Sequence, residues 1–163
     1  MSNKAIYPGS FDPITLGHLD IVRRASNLFD HVLVAVAASE KKNIVFSMDE
    51  RVALANEAVK FLDNVEVTGF QGMMVKLAES YQAKIVIRGI RTISDFEYEM
   101  ELAYFNRHLF SELESIFLFP SNHLSYISSS MIKEIAGQGG DVSSFLTPSV
   151  NLALLSKLQV PKG

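Results

Sequence analysis

Short runs of apolar residues alternate with longer helical patterns along this chain, and that alternation is the strongest constraint on its fold. The short runs are rich in Val, Ile and Phe, and several are apolar on both faces, as strands buried in a parallel sheet are. The five runs are Ala5–Tyr7, Val32–Ala37, Val65–Thr68, Ile85–Ile87 and Ile116–Phe119. Strands that alternate with helices predict right-handed crossovers. We therefore expect an α/β fold, a Rossmann-like doubly wound five-stranded parallel sheet with helices on both faces.

The helical segments carry recognisable start signals. A helix is expected to begin at Thr15 or Leu16, soon after the first strand. Farther along, Ser47 and Glu50 have the spacing of a capping box ahead of an apolar face. Further predicted helices are Ser47–Leu62, Ser94–Phe110, Ser129–Ala136 and Pro148–Leu158.

The composition fits one domain, residues 1–163, and argues against several functional classes. With 48% hydrophobic and 20% charged residues, the chain can build a core and is not disordered. A net charge of −3 argues against a general nucleic-acid binder. The chain has no cysteine, which excludes a thiol nucleophile, a cysteine-built zinc site and disulfides. Neither a signal peptide nor an apolar run of membrane-spanning length is present, so we expect a soluble intracellular protein.

The loop after the first strand, GSFDPITLGH, holds several groups suited to phosphate binding. Ligands of doubly wound sheets bind outside the carboxyl ends of the strands. Gly9 allows close approach of the backbone to a ligand, and Ser10 offers a hydroxyl and an N–H. Asp12-Pro13 ends the strand, and His18 falls in the first turn of the next helix, where free N–H groups attract phosphate. A surface histidine at a helix start is the alternative.

Cationic side chains follow the second and fourth strands. Lys41 and Lys42 lie where a loop after the second strand could reach an anion, although from this stretch alone a solvated charge pair is the favoured interpretation. After the fourth strand, Arg88 and Arg91 bracket Gly89. Arginine forks match phosphate oxygens in a bidentate way, so we expect anion binding at this strand end.

An acidic residue interrupts the apolar pattern of the helix that follows the fourth strand. Phe96, Met100 and Ala103 have the spacing of a core-facing stripe, and Glu99 falls beside that stripe. A ligand contact and an ion pair with an arginine are both open for Glu99. Glu97 is read as solvated charge, together with Glu101.

A serine run follows the fifth strand. One of Ser128, Ser129 and Ser130 is expected to cap the next helix, which leaves the other hydroxyls and N–H groups for phosphates. A plain polar cap is the alternative for this run alone. Four of the five strand ends carry phosphate-compatible groups, and their convergence is what predicts a site.

The residues at these strand ends suit charge stabilisation better than covalent attack. The chain has no GxxxxGK[ST] loop, no GxGxxG after the first strand and no GxSxG elbow. Phosphoryl and nucleotidyl transfer need in-line positioning and neutralisation of developing charge. An attacking phosphate is already anionic and needs no general base.

The motifs resemble a known family. Thr15-Leu16-Gly17-His18 resembles the first signature of the HxGH nucleotidyltransferase superfamily, and ISSSMIK at 127–133 resembles the second, with Lys133 in its basic position. Together with YPGSFDPIT, GHLDIV, the lysines at 41–42, IRGIRTISDFEYEMELA and NRHL, these motifs resemble the bacterial phosphopantetheine adenylyltransferases over nearly the whole chain.

The resemblance implies an enzyme that transfers AMP from ATP to 4′-phosphopantetheine, giving dephospho-CoA and pyrophosphate reversibly in coenzyme A biosynthesis. It implies that His18, Lys42 and Arg91 are catalytic, with His18 stabilising the transition state at the α-phosphate. The implied ATP-binding residues are Ser10, Phe11, His18, Gly89, Ile90, Arg91, Glu99, Leu124, Ser125, Tyr126, Ile127, Ser128, Ser129 and Ser130. The implied phosphopantetheine-binding residues are Ser10, Lys42, Met74 and Arg88.

The resemblance also implies Mg²⁺ as cofactor, held mainly by the ATP phosphates, a homohexamer in the cytoplasm, and CoA as a candidate inhibitor. Neither nucleic acid nor a membrane is expected as a partner. Two alternatives stay open. One is a related transferase with another phosphate or nucleotide acceptor, and the other is a non-catalytic nucleotide-binding or CoA-sensing module.

Overall fold

A computed structural model describes residues 3–39 and 42–159. Its five strands are β1 (Lys4–Gly9), β2 (His31–Ala37), β3 (Val65–Phe70), β4 (Ile85–Gly89) and β5 (Glu114–Leu118). All are parallel and form one sheet in the order β3-β2-β1-β4-β5. All five predicted strands are confirmed. Four of them extend beyond the predicted apolar runs, and the fifth begins two residues earlier and ends one residue earlier.

The helices are α1 (Leu16–Ser26), α2 (Met48–Val59), α3 (Met74–Tyr81), α4 (Ile93–Leu109), α5 (Ser129–Gly137) and α6 (Pro148–Leu158). Short 3-10 turns span Asn122–Leu124 and Ser143–Phe145. The predicted capping box of α2 is confirmed, because Ser47 accepts from the Glu50 N–H and Glu50 accepts from the Ser47 N–H. The predicted helix Ser94–Phe110 is confirmed, although it begins and ends one residue earlier. Thr92 caps this helix through a reciprocal box with Asp95.

Apolar residues on the two faces of the sheet form separate cores. On one face, strand residues such as Val34 and Val36 pack with α1, α2, α5 and α6. On the other face, Ile6, Leu33 and Val86 pack with α3 and the segment before β5. Helices therefore cover both faces, as the fold class predicts.

Helix α4 departs from this pattern. The predicted core-facing stripe of Phe96, Met100 and Ala103 is wrong, since Phe96 is 41% and Met100 42% exposed. The buried residues of α4 are instead polar, namely Glu99 and Asn106. The helix thus turns its polar side inward and leaves most of its large apolar side chains in solvent.

The strand order sets the place of the site. Because the order reverses between β1 and β4, the loops that follow these two neighbours diverge and leave a crevice at the carboxyl edge. Among the described residues, no helix is both long enough and apolar enough to cross a membrane.

Candidate active site

A cavity of about 310 Å³ opens at this crevice. Its walls come from the end of β1 and the loop after it, the first turn of α1, the end of β4, α4 and the start of α5. The lining residues are Tyr7, Pro8, Gly9, Ser10, Phe11, Thr15, Gly17, His18, Ile21, Arg88, Gly89, Arg91, Asp95, Glu99, Pro120, Leu124, Ile127, Ser128, Ser129 and Ser130. We call it the central cavity. It brings together most of the residues implied to bind ATP.

The first turn of α1 fixes the tautomer of His18. Thr15 is the N-cap of α1, and its backbone N–H donates to His18 Nδ1 over 3.0 Å. An amide N–H can only donate, so Nδ1 carries no proton and the ring proton of neutral His18 is on Nε2. The Nε2–H on the opposite side of the ring is therefore a hydrogen-bond donor for a ligand in the central cavity.

Two effects keep His18 neutral. Removal of the ring from water is the larger effect and the positive charge of Arg91 the smaller, and together they lower the pKa of His18 to about 4. The Phe11 ring packs edge-on against the imidazole, with 5.0 Å between ring centroids. At neutral pH, His18 is thus a neutral, oriented donor rather than a cation.

Arg88 is held by a buried carboxylate. Its Nε and Nη2 donate to the two carboxylate oxygens of Glu99, each over 2.6 Å, and Nη1 donates to the Pro8 carbonyl over 3.0 Å. The ion pair left open for Glu99 from the sequence is therefore present. Three of the five N–H groups of Arg88 are used in this way, and two are left for a ligand.

Arg91 joins two loops of the central cavity. Its Nη1 donates to the Ile127 carbonyl over 3.2 Å, and its Nε lies 3.3 Å from Asp95 Oδ2. The guanidinium therefore fixes the segment before α5 to the start of α4. The charge stays next to His18, whose pKa it lowers.

The serines at the start of α5 have different partners. Ser128 caps the helix by accepting from the Met131 N–H. The Ser129 hydroxyl donates to the Pro13 carbonyl over 2.8 Å, so it is not left over for a phosphate as the sequence suggested. Ser130 is exposed and lines the central cavity, which makes it the serine of this run best placed for a ligand.

The remaining predicted ATP-binding residues separate into two groups. Leu124 and Ile127 are buried and line the central cavity. Ile90 and Ser125 are absent from its lining, as is Tyr126, which is 90% exposed. Their implied contacts with ATP stay predictions.

The residues implied to bind phosphopantetheine lie around two further cavities. Lys42 lines a polar cavity of about 320 Å³ with Ser10, Asn43, Ser130 and Lys133. Lys41, the other lysine of the pair, lies outside the described residues.

An apolar cavity of about 260 Å³ lies on the other side of Arg88. Met74 lines it with Met73, Phe105 and Leu109. Lys42 and Arg88 therefore do not share a cavity. Ser10 connects the polar and central cavities, and Arg88 connects the central and apolar ones.

Three buried charged residues near the site were not assigned a role from the sequence. Asp12 accepts from the backbone N–H groups of Val45 and Phe46, each over 2.9 Å, and pairs with Lys133 over 2.7 Å. Asp20 holds the N–H and hydroxyl of Ser121, each over 3.0 Å.

The third is Arg51, which donates to three backbone carbonyls. The burial of Arg51 could have been predicted from its spacing, because it stands four and seven residues before the buried Ala55 and Ala58, on the inward face of α2.

The carboxylates near the cavities have protein partners, which bears on how a metal ion would be held. In the described ranges, no three metal-ligating side chains converge. The carboxylates nearest the cavities, Asp12, Asp95 and Glu99, are each engaged by a basic side chain. This donor set suits a magnesium ion that arrives on the phosphate oxygens of a nucleotide and keeps several waters.

Comparisons with known proteins agree with the geometry. The cytidylyltransferase-like family model matches residues 6–135. A phosphopantetheine adenylyltransferase from Photorhabdus laumondii is 56% identical over 158 residues, which cover 97% of this chain and 99% of the relative.

Two solved structures share the fold. A protein from Vibrio parahaemolyticus described as a nicotinate-nucleotide adenylyltransferase has a TM-score of 0.73 at 21% identity, covering 99% of this chain and 98% of that one. A lipopolysaccharide core biosynthesis protein from Thermoplasma volcanium has a TM-score of 0.54 at 23% identity, covering 74% and 98%. At these identities the two structures bear on the fold alone.

The lowered pKa of His18 predicts a specific pH dependence of stability. The unfolded histidine binds a proton below its ordinary pKa, whereas the folded one does so only below about 4. Between these values the unfolded state binds more protons, so the stability present above pH 6.5 is lost as pH falls. Between pH 7 and 4.5, we expect the free energy of unfolding to fall by about 2 kcal/mol more in wild type than in His18→Gln. Urea unfolding at equal protein concentration measures this, and parallel pH profiles would contradict it.

Proposed function

Since the chain belongs to the phosphopantetheine adenylyltransferases within the cytidylyltransferase-like family, we propose that its central cavity transfers the adenylyl group of ATP to 4′-phosphopantetheine. The products are dephospho-CoA and pyrophosphate, and the step is part of coenzyme A biosynthesis. The observation that carries the proposal is the neutral, oriented His18 beside Arg91, in a cavity rich in phosphate-binding groups.

The site stabilises charge and does not activate a nucleophile. A phosphate oxygen of the acceptor forms a bond to the α-phosphorus of ATP while the bond to the oxygen bridging to the β-phosphate breaks. Pyrophosphate leaves with that electron pair. The attacking oxygen is already anionic, so no general base is required. Burial raises the pKa of Tyr7 far above its ordinary value, so this hydroxyl stays protonated and does not serve as one.

His18 acts on the charge that develops during transfer. Its Nε2–H donates to an oxygen of the α-phosphate, and the bond strengthens as negative charge accumulates in the transition state. Arg91 adds a fixed positive charge beside it. Both groups are oriented by protein contacts before substrate binds, so little reorganisation accompanies the reaction.

The acceptor's shape matches the position of Arg88. This guanidinium lines both the central cavity and the apolar cavity that contains Met74. A phosphate at Arg88 would lie next to the α-phosphate site, and the pantetheine arm would extend toward Met74. Lys42 lines the polar cavity, which adjoins the central cavity at Ser10. From there, Lys42 would bind the same phosphate.

Magnesium is the proposed cofactor. When bound to the phosphate oxygens of ATP, it neutralises polyphosphate charge. The cytoplasmic location and inhibition by CoA stay predictions.

Replacing His18 should separate catalysis from binding. We expect His18→Ala to lower kcat by about 10²–10³-fold, because it removes a donor whose contact strengthens in the transition state. The dissociation constant for ATP should change only slightly. Pyrophosphate release with ATP, Mg²⁺ and phosphopantetheine gives kcat, and calorimetry gives the ATP affinity.

His31→Ala is the matched control, since His31 is exposed at the amino edge of the sheet. Equal losses of binding and turnover in His18→Ala would refute the proposed role. Absence of turnover in wild type would favour the nucleotide-binding module.

Removing the charge of Lys42 should act on the acceptor. We expect Lys42→Ala to raise the dissociation constant for phosphopantetheine by about 10- to 100-fold, the value of a charge-assisted hydrogen bond to phosphate. ATP affinity should stay close to wild type. Lys60→Ala, which removes an exposed lysine at the end of α2, is the control. Unchanged acceptor affinity would remove Lys42 from the site.

The exposed side of α4 supports the proposed homohexamer. Seven of the fifteen exposed large apolar residues in the described ranges lie on this helix, among them Tyr104 and Phe105. An apolar surface of this kind marks a contact with another protein, and copies of the same chain are the commonest partner. Sedimentation should give a hexamer for wild type and smaller species for the double variant Tyr104→Asp, Phe105→Asp. A wild-type monomer would contradict the proposal.

A further inference from the structure

Arg51 is a buried cation that the proposed mechanism does not use. It is 3% exposed and projects from α2 toward the carboxyl edge of the sheet. Its Nη1 donates to the Ser10 carbonyl over 2.7 Å and to the Ala37 carbonyl over 2.8 Å. Its Nε donates to the Phe46 carbonyl over 3.2 Å. Two of these contacts anchor the guanidinium to the end of β2 and the start of α2, and the third holds the loop after β1.

The contact with the Ser10 carbonyl fixes a peptide plane. The carbonyl and N–H of a trans peptide point in opposite directions, so tying the Ser10 carbonyl to Arg51 turns the Phe11 N–H away from α2. Within residues 3–39 and 42–159, the Phe11 N–H has no protein acceptor. Ser10 and Phe11 both line the central cavity.

The backbone of Phe11 shows that this orientation needs support. Phe11 has a φ of 46°, in the left-handed region that a bulky residue rarely adopts. Rotating the Ser10–Phe11 peptide by about 180° would return this φ to the negative region and relieve the strain. The flipped peptide would direct the Ser10 carbonyl into the cavity and leave Arg51 without that acceptor. Strained residues persist only where the surroundings impose them.

We propose that Arg51 is a positioning residue that holds the Ser10–Phe11 peptide with the Phe11 N–H directed at a phosphate oxygen in the central cavity. The inference rests on the proposed function, since the phosphate belongs either to ATP or to the phosphorylated acceptor. A carbonyl in place of that N–H would repel the phosphate. The hydrogen bond from Arg51 to the Ser10 carbonyl, which we call the clamp, therefore decides whether the loop attracts or repels the phosphate of the substrate.

Kinetics of Arg51 variants test the clamp first. Arg51→Met keeps most of the apolar stem and removes the guanidinium, and we expect its kcat to fall by about 10²-fold, as when one positioned donor is lost. Arg51→Lys keeps the positive charge but loses the planar guanidinium that donates to three carbonyls, so its kcat should lie between those of wild type and Arg51→Met. Lys60→Met, at the other end of α2, is the matched control and should behave as wild type. An Arg51→Met protein that folds and keeps kcat within threefold would overturn the proposal.

A spectroscopic measurement separates positioning from simple support of the fold. The chain has 11 Phe residues, so selective ¹⁵N-phenylalanine labelling gives a short amide spectrum in which Phe11→Leu identifies the Phe11 signal. We expect this signal to move downfield in wild type on addition of Mg·ATP or of 4′-phosphopantetheine, and the effective ligand identifies the phosphate. The shift should vanish in Arg51→Met and shrink in Arg51→Lys. An Arg51→Met protein with lowered activity and an unchanged shift would make Arg51 structural only.

The wild-type spectrum decides the matter even if Arg51→Met does not fold. A Phe11 amide that responds to neither ligand overturns the clamp, whatever the activity. Conversely, a clear response to Mg·ATP without turnover of phosphopantetheine would refute the proposed function and leave the clamp standing.

Discussion

Burial of charge at the carboxyl edge of the sheet is the constraint on which the site depends. Asp12, Arg51 and Glu99 are each less than a tenth exposed, and a buried charge without partners is costly. Each is satisfied by groups from elsewhere in the chain: Asp12 by Lys133, Glu99 by Arg88, and Arg51 by three carbonyls. Breaking such a pair costs about 3–5 kcal/mol, so these contacts hold the loops around the cavities in one arrangement.

That arrangement explains how ordinary residues become suited to nucleotidyl transfer. A protonated histidine would attract phosphate in the ground state and the transition state alike, whereas a neutral donor fixed in direction gains most as charge develops. Arg91 has two effects. Its positive charge helps to keep His18 neutral, and its guanidinium fixes the loop before α5. The Thr15 N–H completes the arrangement by determining which ring nitrogen carries the proton.

The sequence predicted the sheet and most of the residues that line the central cavity. Strands such as Val32–Ala37 were visible because burial on both faces demands continuous apolar runs, and the Ser47 cap because its chemistry is local. The backbone partners of Asp12 and the Ser10 carbonyl that accepts from Arg51 were not predictable, since backbone groups of distant loops carry no residue-specific signal. Periodicity alone also misplaced the inward face of α4, because an apolar stripe has the same spacing whether it faces the core or the surface.

Helix α4 connects the central cavity to an exposed apolar surface. A helix that buries Glu99 and Asn106 and exposes Tyr104 and Phe105 gains little from packing on its own sheet. Ion pairs therefore hold it in place: Arg88–Glu99 and Arg91–Asp95 at the central cavity, and Arg107–Glu114 against β5. Because α4 carries both Glu99 and the exposed apolar surface, a partner bound to that surface would act on the element that orients Arg88. If copies of the chain assemble through this surface, as proposed, activity and oligomeric state are linked through the position of the Arg88 guanidinium, and variants on α4 must be measured for both.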